Sequence, residues 1–416
     1  MITNLVLVEH PTHPTTLYPF SILHVPWELR YGAMTIIETW LRLTGTTLLD
    51  CLGRPAHRTS FYARFPEYRG HQLGVGTVLV ISSRLLPTKE VVRQITRHAC
   101  GNPPQCFYAG SELVALSCSL HQWEQLAAHD WHDLERSVTP SWQKHELRNA
   151  PLLTYLWDLF VYGDATIAEQ FEFYADHTIH HADYGSGSVA VLNAEAIAVG
   201  ENSSIAPLVV LDASAGPIII GNNVTIMPQA TIIGPCAIGD HSVIKVGAKI
   251  YPNTIIGPWC KVGGEVECTI FQSFSNKQHD GFLGHSFISE WVNLGAGANT
   301  SNLKNTYRPI SVELPSGRVA TGRTFLGLLC GDHTKAGIAT MFSTGTVVGI
   351  SANIFGAGYT PTVIPSFTWG GINEQRLYAL DVALDTARRS MARRNRQLLP
   401  EEQALMQAEY QRVLAK

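Results

Sequence analysis

Charged residues are scarce in this sequence, and the features that mark disordered, membrane-spanning and secreted proteins are missing. Only 15% of its 416 residues are Asp, Glu, Lys or Arg, whereas 45% are hydrophobic. A chain this apolar can bury a large core and is not disordered. It lacks the uninterrupted run of about 18 apolar residues that would span a bilayer. The start, MITNLVLVEH, has neither a basic region nor a cleavage site, so we interpret it as a buried strand of a cytoplasmic protein.

Two further absences narrow the possible partners. The eight cysteines form no C-x-x-C pair, which argues against a zinc ribbon and against a disulfide framework. The formal charge of −4 argues against non-specific binding of nucleic acid. We therefore expect reduced thiols, no membrane partner and no nucleic-acid partner.

The length of the chain predicts two domains and an appendage, because it exceeds the size at which a single core stops growing. We expect an α/β domain over residues 1–178, a second domain over 179–372 and a helical tail over 373–416. The α/β assignment follows from apolar strands that alternate with helical stretches in the first domain.

Four segments carry the α/β pattern. GVGTVLVISSRLLP (74–87) predicts a buried strand that ends in a polar turn. GAMTIIETWLRLTG (32–45) and TKEVVRQITRHA (88–99) have apolar residues at helical spacing. TYLWDLFVYGDATIAEQFEFYA (154–175) predicts a helical hairpin broken at Gly163.

From about residue 197 the pattern changes to an aliphatic residue at every sixth position. Neither an α-helix nor an alternating strand has this period, which is typical of a parallel β-helix built from hexapeptides. Gly, Asn, Asp and Pro lie between the aliphatic residues, as turns require. The uninterrupted series is Ile220, Ile226, Ile232, Ile238, Ile244, Ile250, Ile256 and Val262. The period slips near Cys268, and we expect it to resume at Phe282, Ile288 and Leu294, then more loosely at Ile338, Thr344 and Ile350.

The tail predicts two amphipathic helices separated at Pro400. Its first helix has a basic edge formed by Arg388, Arg389, Arg393 and Arg394. This edge is either a solvated face, a subunit contact or a phosphate-binding surface.

One stretch departs from the aliphatic pattern and resembles a known signature. SNKQHDGFLGHSFISEWVNLGAG (275–297), followed by NTSNLKN (299–305), is similar to the acetyltransferase signature of the bifunctional UDP-N-acetylglucosamine pyrophosphorylase and glucosamine-1-phosphate acetyltransferase (GlmU-like) family. In the first domain, ELRYGAMTIIETW (28–40), SSRLLP (82–87) and YLWDLFVYGDATI (155–167) are similar to bacterial sugar nucleotidyltransferases of this family. The resemblance implies a Rossmann-like nucleotidyltransferase domain, then a left-handed parallel β-helix that assembles as a homotrimer.

The resemblance also implies an activity and its residues. His279 takes the place of the family's general base, which removes a proton from an amino-sugar phosphate as the amine attacks acetyl-CoA. Gly295, Ala296 and Gly297 match the segment beside the CoA thioester, where amide N–H groups stabilise an oxyanion and absent side chains permit close approach. We expect substrate contacts from Lys277, Phe282, Asn293, Asn302 and Arg308.

The residues around His279 predict the orientation of its side chain independently of the family resemblance. A histidine flanked by Lys277, Gln278 and Asp280 could not satisfy its polar neighbours inside an aliphatic solenoid, so we expect it to point outward. There it serves either a site at the coil surface or only the cap of a loop. Phe282 and Leu303 stand where the family has tyrosines, so two expected hydroxyls are missing.

Other polar residues of the second domain leave alternatives open. His279, His285 and His333 could together hold zinc between subunits, as three histidines do in some β-helix proteins, although the signature explains His279 better and we predict no metal site. Arg323 and Lys335 are either surface residues or contacts to CoA phosphate.

The first domain departs from an active nucleotidyltransferase. No glycine precedes Gly32, so the usual glycine-rich phosphate loop is missing. The turn after the strand at 78–81 reads Ser82-Ser83-Arg84, without a carboxylate for magnesium. Arg30 and Arg84 could bind a nucleotide or sugar phosphate, or they could be buried structural arginines.

Three functions therefore remain open from the sequence. The leading one is acetyl transfer from acetyl-CoA to an amino-sugar 1-phosphate. The second is an active sugar-1-phosphate nucleotidyltransferase, which alone would require Mg²⁺. The third is a trimeric scaffold that binds a nucleotide sugar without catalysis, a function that the missing hydroxyls at Phe282 and Leu303 favour.

Overall fold

The computed structural model describes residues 2–69, 76–99, 102–126, 130–177 and 188–415. The chain divides into two compact units. The first comprises Met1–Leu17, Leu23–Asp158 and Leu399–Leu405, and the second comprises Tyr18–Ile22, Leu159–Leu398 and Met406–Lys416.

The first unit contains a mixed sheet with short helices. Its strands are β1 (Ile2–Val8), β2 (Arg30–Tyr31), β3 (Met34–Thr35), β4 (Thr47–Leu52), β5 (Thr77–Ser82), β6 (Gln105–Ala109), β7 (Glu112–Ser119) and β8 (Gln143–Glu146). Its helices are α1 (His13–Thr16), α2 (Ile36–Thr44), α3 (Pro55–Arg64), α4 (Lys89–His98), α5 (Leu120–Leu126) and α6 (Trp131–Ser137). The predicted buried strand and the two predicted helices are thus confirmed as β5, α2 and α4.

The order of the six-stranded sheet is β4-β1-β5-β7-β6-β8. Strand β1 pairs in parallel with β4 and β5, whereas β7 runs antiparallel to both β5 and β6. Strands β1 and β5 are almost fully buried, which explains their continuous runs of Val, Ile and Leu. The α/β prediction for the first domain is confirmed.

The predicted helical hairpin is wrong. One helix, α7 (Leu159–Phe171), continues through Gly163. A Cβ at this glycine would lie 1.8 Å from Oδ1 of Asn253, so the residue permits close packing against the bend before the strand Thr254–Ile256 instead of ending the helix. The glycine therefore marks a contact that the local sequence does not show.

The second unit is a parallel β-helix with three faces. Face A contains Ile197–Val199, Ile218–Ile220, Cys236–Ile238, Thr254–Ile256, Ile270–Phe271, Phe287–Ile288, Leu329–Cys330, Val347–Val348 and Val363–Ile364. Face B contains Ser204–Ile205, Thr225–Ile226, Val243–Ile244, Lys261–Val262, Asn276–Lys277, Asn293–Leu294, Lys335–Ala336, Asn353–Phe355, Thr368–Gly371 and Gln375–Leu377. Face C contains Ala190–Leu192, Val210–Asp212, Thr231–Ile233, Lys249–Ile250, Glu265–Glu267 and Phe282–Gly284.

The six-residue period produces the interior of this β-helix. Ile220 pairs with Ile238, and Ile238 with Ile256, so one coil takes 18 residues and each hexapeptide supplies one face. All eight residues of the predicted series are at most 1% exposed. Removing such side chains from water stabilises the fold by about 1.5–3 kcal/mol each. The β-helix prediction is confirmed.

The predicted phase after Cys268 is wrong at several positions. Ile256 pairs with Phe271, so this coil is three residues shorter than its neighbours. Leu283, not Phe282, therefore lies in the interior. After the next insertion Ala336 and Phe342 are interior residues, whereas Ile338 is 80% exposed.

The insertion lies between Ile288 and Cys330, which pair directly on face A. Asn299–Thr300 first pairs with Met341–Phe342, and the chain then forms a hairpin of Ser311–Leu314 and Gly317–Ala320. The predicted tail helices are confirmed as α8 (Leu380–Ala392) and α9 (Pro400–Leu414), the second beginning at Pro400. Within the described residues no helix is long and apolar enough to cross a membrane.

Candidate functional site

His279 lies in the turn between face B and face C, and its side chain is exposed, as the sequence predicts. The N–H of Gly297 donates to the carbonyl of the adjacent Asp280 at 3.0 Å. This bond holds the His279 turn against the segment Gly295–Gly297 of the next coil. Two parts of the predicted acetyltransferase site are therefore neighbours in the fold.

Lys277, which we expected to contact substrate, lies inside the β-helix at 1% exposure. It takes the interior position that Val262 occupies one coil earlier. Its Nζ donates to the carbonyls of Gly263 (3.3 Å) and His279 (2.7 Å). Burial lowers the pKa of Lys277 to about 8, an effect that nearby Asp280 opposes.

Glycine makes room for this buried ammonium. A Cβ at Gly264 would lie 2.8 Å from Nζ of Lys277, and the residue has a φ of +73°. The premise that the polar neighbours of His279 could not be satisfied inside the solenoid is wrong for Lys277, because backbone carbonyls accept hydrogen bonds from its ammonium there. Lys277 is thus placed to position the His279 turn.

Asn299, which the sequence analysis missed, links two predicted residues, Phe282 and Gly297. Its Oδ1 accepts from the N–H of Phe282 at 2.8 Å, and its Nδ2 donates to the carbonyl of Gly297 at 2.7 Å. Asn299 thereby ties face C to the Gly295–Gly297 segment. No local signal distinguishes it from the neighbouring asparagines, because the contact joins successive coils.

Phe282 and Asn302 come together over Gly284. A Cβ on this glycine would lie 2.5 Å from the ring of Phe282 and 2.6 Å from Nδ2 of Asn302. Nδ2 of Asn302 also lies 3.0 Å from Nδ1 of His285, whose ring stacks on Phe325 with centroids 5.1 Å apart. The fold therefore gathers an aromatic ring, an amide and an imidazole on one side of the β-helix.

His285 is held in its neutral form. Burial, with a smaller contribution from Arg323, lowers its pKa to about 4. Because Asn302 donates to Nδ1, the ring proton resides on Nε2. His285 can therefore offer a hydrogen-bond donor, but not a cation, to a ligand near neutral pH.

The glycines beside the predicted thioester site are required by the fold itself. A Cβ at Gly295 would lie 2.6 Å from the carbonyl of Gly337, and Gly297 has a φ of +68°. The N–H of Gly295 donates to Ala336, and that of Gly297 to Asp280. Within the described residues, the N–H of Ala296 donates to no backbone or side-chain acceptor, so it is the one amide of the three that remains available.

Two predicted substrate contacts do not join this group. Asn293 lies on face B, where it pairs with Asn276 and Lys335. Arg308 is exposed in the segment that precedes the hairpin. Among the described residues neither shares a hydrogen bond with His279, Phe282 or Asn302.

The three candidate zinc histidines lie at three different corners of the β-helix. His279 follows face B, His285 follows face C and His333 follows face A. His333 stacks on Trp291, with centroids 6.3 Å apart. A single chain therefore does not bring them together.

In the first unit, the carboxyl ends of β1 and β5 carry a buried Ser–His pair. The N–H of His10 donates to Oγ of Ser83 at 2.8 Å. Oγ of Ser83 lies 2.8 Å from Nδ1 of His13, and Nε2 of His13 lies 3.1 Å from the carbonyl of Leu153. Burial lowers the pKa of His13 to about 3, so the ring is neutral.

The described residues at this edge do not fit Mg²⁺. The carboxylate of Glu9 pairs with Arg54 at 2.8 Å, and that of Glu112 pairs with Arg84 at 3.0 Å. Both carboxylates are thus already neutralised, and Ser82 and Ser83 supply only hydroxyls.

The fold also engages the two arginines that the sequence offers for nucleotide binding. Nη1 of Arg30 donates to the carbonyl of Ala33 at 2.8 Å, and Nη2 of Arg84 donates to Oγ1 of Thr154 at 3.0 Å. Their role in nucleotide binding stays a prediction.

Comparison with known proteins matches two parts of the chain to two family models. Residues 5–178 match the model of sugar nucleotidyl transferases, and residues 217–251 match the bacterial transferase hexapeptide model. An Escherichia coli protein named as the uncharacterized acetyltransferase YaiX is 30% identical over 171 residues, which cover 41% of this chain and 74% of that protein. The bifunctional protein GlmU of Methanocaldococcus jannaschii is 32% identical over 111 residues, or 27% of this chain and 26% of that protein. The chain belongs to the GlmU-like family of transferases.

The similarity to bifunctional GlmU-like relatives covers only part of each protein. The bifunctional sugar-1-phosphate nucleotidylyltransferase/acetyltransferase of Sulfurisphaera tokodaii is 32% identical over 106 residues, which cover 25% of this chain and 26% of that protein. The chain thus matches about a quarter of the length of the two archaeal relatives. Among solved structures, a UDP-N-acetylglucosamine acyltransferase of Arabidopsis aligns over 49% of this chain and 76% of that one, with 16% identity and a TM-score of 0.28.

Proposed function

We propose that the β-helix of this GlmU-like protein transfers an acetyl group from acetyl-CoA to the amine of an amino-sugar 1-phosphate. The observation that carries the proposal is the exposed His279, in a turn bonded to the Gly295–Gly297 segment on one side and to Lys277 on the other. His279 is the general base. Phe282 and Asn302, which meet over Gly284, contact the sugar.

The chemistry follows from these positions. His279 takes a proton from the amine as its nitrogen attacks the thioester carbonyl carbon. The new C–N bond gives a tetrahedral oxyanion, to which the N–H of Ala296 can donate because it has no other acceptor among the described residues. The C–S bond then breaks, and the CoA thiolate receives the proton from His279.

The complete site requires a second chain in this proposal. His279 is exposed in the single chain, and among the described residues Arg308 and Asn293 share no hydrogen bond with Phe282 or Asn302. A homotrimer, the assembly implied by the family resemblance, would cover the His279 turn with another subunit and exclude water from the thioester. Sedimentation velocity of the full chain tests this assembly. A monomer at the enzyme concentration of the assay contradicts it.

For the first unit we propose recognition of a nucleotide sugar or sugar phosphate without nucleotidyl transfer. This proposal rests on the match to sugar nucleotidyl transferases and on the carboxylates of Glu9 and Glu112, each of which is paired with an arginine where the described residues of this sheet edge would have to bind Mg²⁺. Formation of a nucleotide sugar from a nucleoside triphosphate and a sugar 1-phosphate, with added Mg²⁺, would contradict it.

The test of acetyl transfer uses acetyl-CoA and glucosamine-1-phosphate, with thiol release as the readout and other amino-sugar phosphates in parallel. We expect His279→Asn to lower kcat by about 10²–10⁴-fold, the usual contribution of a general base. His121→Asn, at an exposed histidine of α5, is the matched control and retains activity. Absence of transfer to every acceptor by a folded protein would overturn the proposal in favour of a non-catalytic scaffold.

A further inference from the structure

A basic segment at the end of α8 lies over the corner where face A turns into face B. Nη2 of Arg394 donates to Oδ1 of Asn276 on face B at 3.3 Å. The guanidinium carbon of Arg396 lies 5.8 Å from the ring centroid of Phe274, which occupies the corner itself. These two contacts fix the segment 393–396 against the β-helix.

Lys261 of face B lies close to this segment, and Lys245 lies close to Lys261. Lys261 pairs with Asn276 in the sheet, and Lys245 follows Ile244 one coil earlier. The pKa of Lys261 is lowered first by burial and then by the charges of Arg394, Lys245 and Arg393. The pKa of Arg394 is likewise lowered by burial and by Arg393. The four cations are therefore close enough to repel one another.

No carboxylate in the described part of the chain neutralises this charge. Lys245, Lys261, Arg393, Arg394 and Arg396 form no ion pair there, whereas Arg389 of α8 pairs with Asp385 at 2.7 Å. Arg393 and Arg396 are exposed, and Lys245, Lys261 and Arg394 are half-buried. Like charges gathered without a counter-charge destabilise the folded chain, so an anion that binds all of them would be held strongly.

Aromatic side chains line the same corner. His241, Trp259, Phe274 and Trp291 occupy equivalent positions in four successive coils, each with a φ between 56° and 62°. The ring centroids of His241 and Trp259 are 4.3 Å apart, and those of Trp259 and Phe274 are 6.4 Å apart. His241 is exposed, and Trp259 and Phe274 are half-buried, so the column presents ring surface beside the cations.

We propose that this corner, defined by Lys245, Lys261, Arg393, Arg394 and Arg396 with the ring column His241–Trp259–Phe274, binds a nucleoside phosphate. The arginine and lysine side chains bind the phosphates through charge-assisted hydrogen bonds. The ring column contacts the base, because aromatic side chains can stack on the face of any nucleobase. The site is separate from the His279 turn, which lies at the next corner, between faces B and C. No described residue of the proposed acetyltransferase site belongs to it.

Isothermal titration calorimetry of the full chain tests the site without any acetyl transfer. ADP, UDP and pyrophosphate are the probes. We expect both nucleotides to bind, and pyrophosphate to bind at least tenfold more weakly because it lacks the base. Lys261→Gln/Arg394→Gln should weaken nucleotide binding by at least tenfold, and Trp259→Ala should reduce it to the level of pyrophosphate.

A matched control removes two positive charges elsewhere. Arg93→Gln/Arg136→Gln, at two exposed arginines of the first unit, should leave nucleotide binding unchanged. Circular dichroism and thermal melting verify that each variant is folded. CoA carries the same phosphate and base groups, so its displacement of bound ADP would identify CoA as the source of the ligand. Failure of CoA to displace ADP would identify a free nucleotide.

Three results would overturn the proposal. The first is the absence of nucleotide binding at millimolar concentration. The second is equal binding to the wild type and to Lys261→Gln/Arg394→Gln. The third is a change of oligomeric state in Lys261→Gln/Arg394→Gln when nucleotides bind neither this variant nor the wild type. That result would make the corner an interface between copies of the chain.

Discussion

The ammonium of Lys277, inside the β-helix, donates a 2.7 Å hydrogen bond to the carbonyl of His279, whose own side chain is exposed to solvent. A residue of the interior thus fixes the turn that carries the proposed general base. The adjacent coil helps, because Gly264 leaves space for the ammonium and Gly263 supplies a second carbonyl. The arrangement couples packing of the β-helix to the geometry of the proposed site.

Lys277→Met tests this coupling. The variant leaves the buried carbonyl of Gly263 and the partly buried carbonyl of His279 without this donor, so we expect the free energy of unfolding to fall by about 1–3 kcal/mol near pH 7. We also expect kcat of acetyl transfer to fall by at least tenfold, because the His279 turn loses its inner support. Urea denaturation and steady-state kinetics measure the two effects. Lys249→Met, at an exposed lysine of face C, controls for loss of charge.

The same residue predicts a pH dependence. The folded pKa of Lys277 is about 8 and its ordinary value is 10.5, so the unfolded chain binds more protons between these limits. Stability contributed by this position should therefore rise with pH from about 8 to 10.5. The difference in unfolding free energy between the wild type and Lys277→Met isolates it. A difference that is flat or falls across this window would contradict a buried lysine.

The sequence predicts the β-helix well wherever one coil repeats the previous one. Ile220 to Val262 keep one phase because each hexapeptide supplies one face. The shortened coil between Ile256 and Phe271 moves the interior position from Phe282 to Leu283. The residues near Cys268 do not indicate how many residues this coil lacks, so the new phase could not be predicted.

The candidate site is predicted less completely for a related reason. His279 is recognisable because its signature is local. The contacts of Asn299 with Phe282 and Gly297, and of Asn302 with His285, join residues up to 17 positions apart across coils. The position of Lys277 could not be predicted, because a polar residue in an aliphatic period indicates an outward side chain. In the structure, backbone carbonyls inside the β-helix accept hydrogen bonds from its ammonium.

Asn299→Ala tests the link between face C and the Gly295–Gly297 segment. The variant removes the acceptor for the N–H of Phe282 and the donor to the carbonyl of Gly297. We expect kcat/KM for acetyl transfer to fall by about 10–100-fold, since each bond positions part of the proposed site. Because Asn299 is exposed, stability should change by less than about 1 kcal/mol. Unchanged kinetics would show that these bonds do not position the reacting groups.

Gly163→Ala tests the packing of α7. Alanine is favoured over glycine inside a helix by about 1 kcal/mol, yet the new Cβ would lie 1.8 Å from Oδ1 of Asn253. Displacing Asn253 would break its 2.8 Å bond to the carbonyl of Phe160. We expect a net loss of about 1–3 kcal/mol in the free energy of unfolding. In an Asn253→Ala background the same change should be much less destabilising, and a stabilising Gly163→Ala would show that the contact is absent.

His285 predicts a loss of stability in acid. Its pKa is about 4 in the folded chain and 6.5 ordinarily, so the unfolded chain binds more protons between these values. Stability from the neutral imidazole is therefore fully present above pH 6.5 and is lost as the pH falls towards 4. As the pH falls through this range, the free energy of unfolding should decrease by about 1–3 kcal/mol less in His285→Gln than in the wild type. Urea denaturation at several pH values measures the two decreases. His121→Gln, at an exposed histidine, should follow the wild type. A His285→Gln curve that also follows the wild type would mean that the imidazole titrates normally, and its neutral donor role beside Asn302 would have to be abandoned.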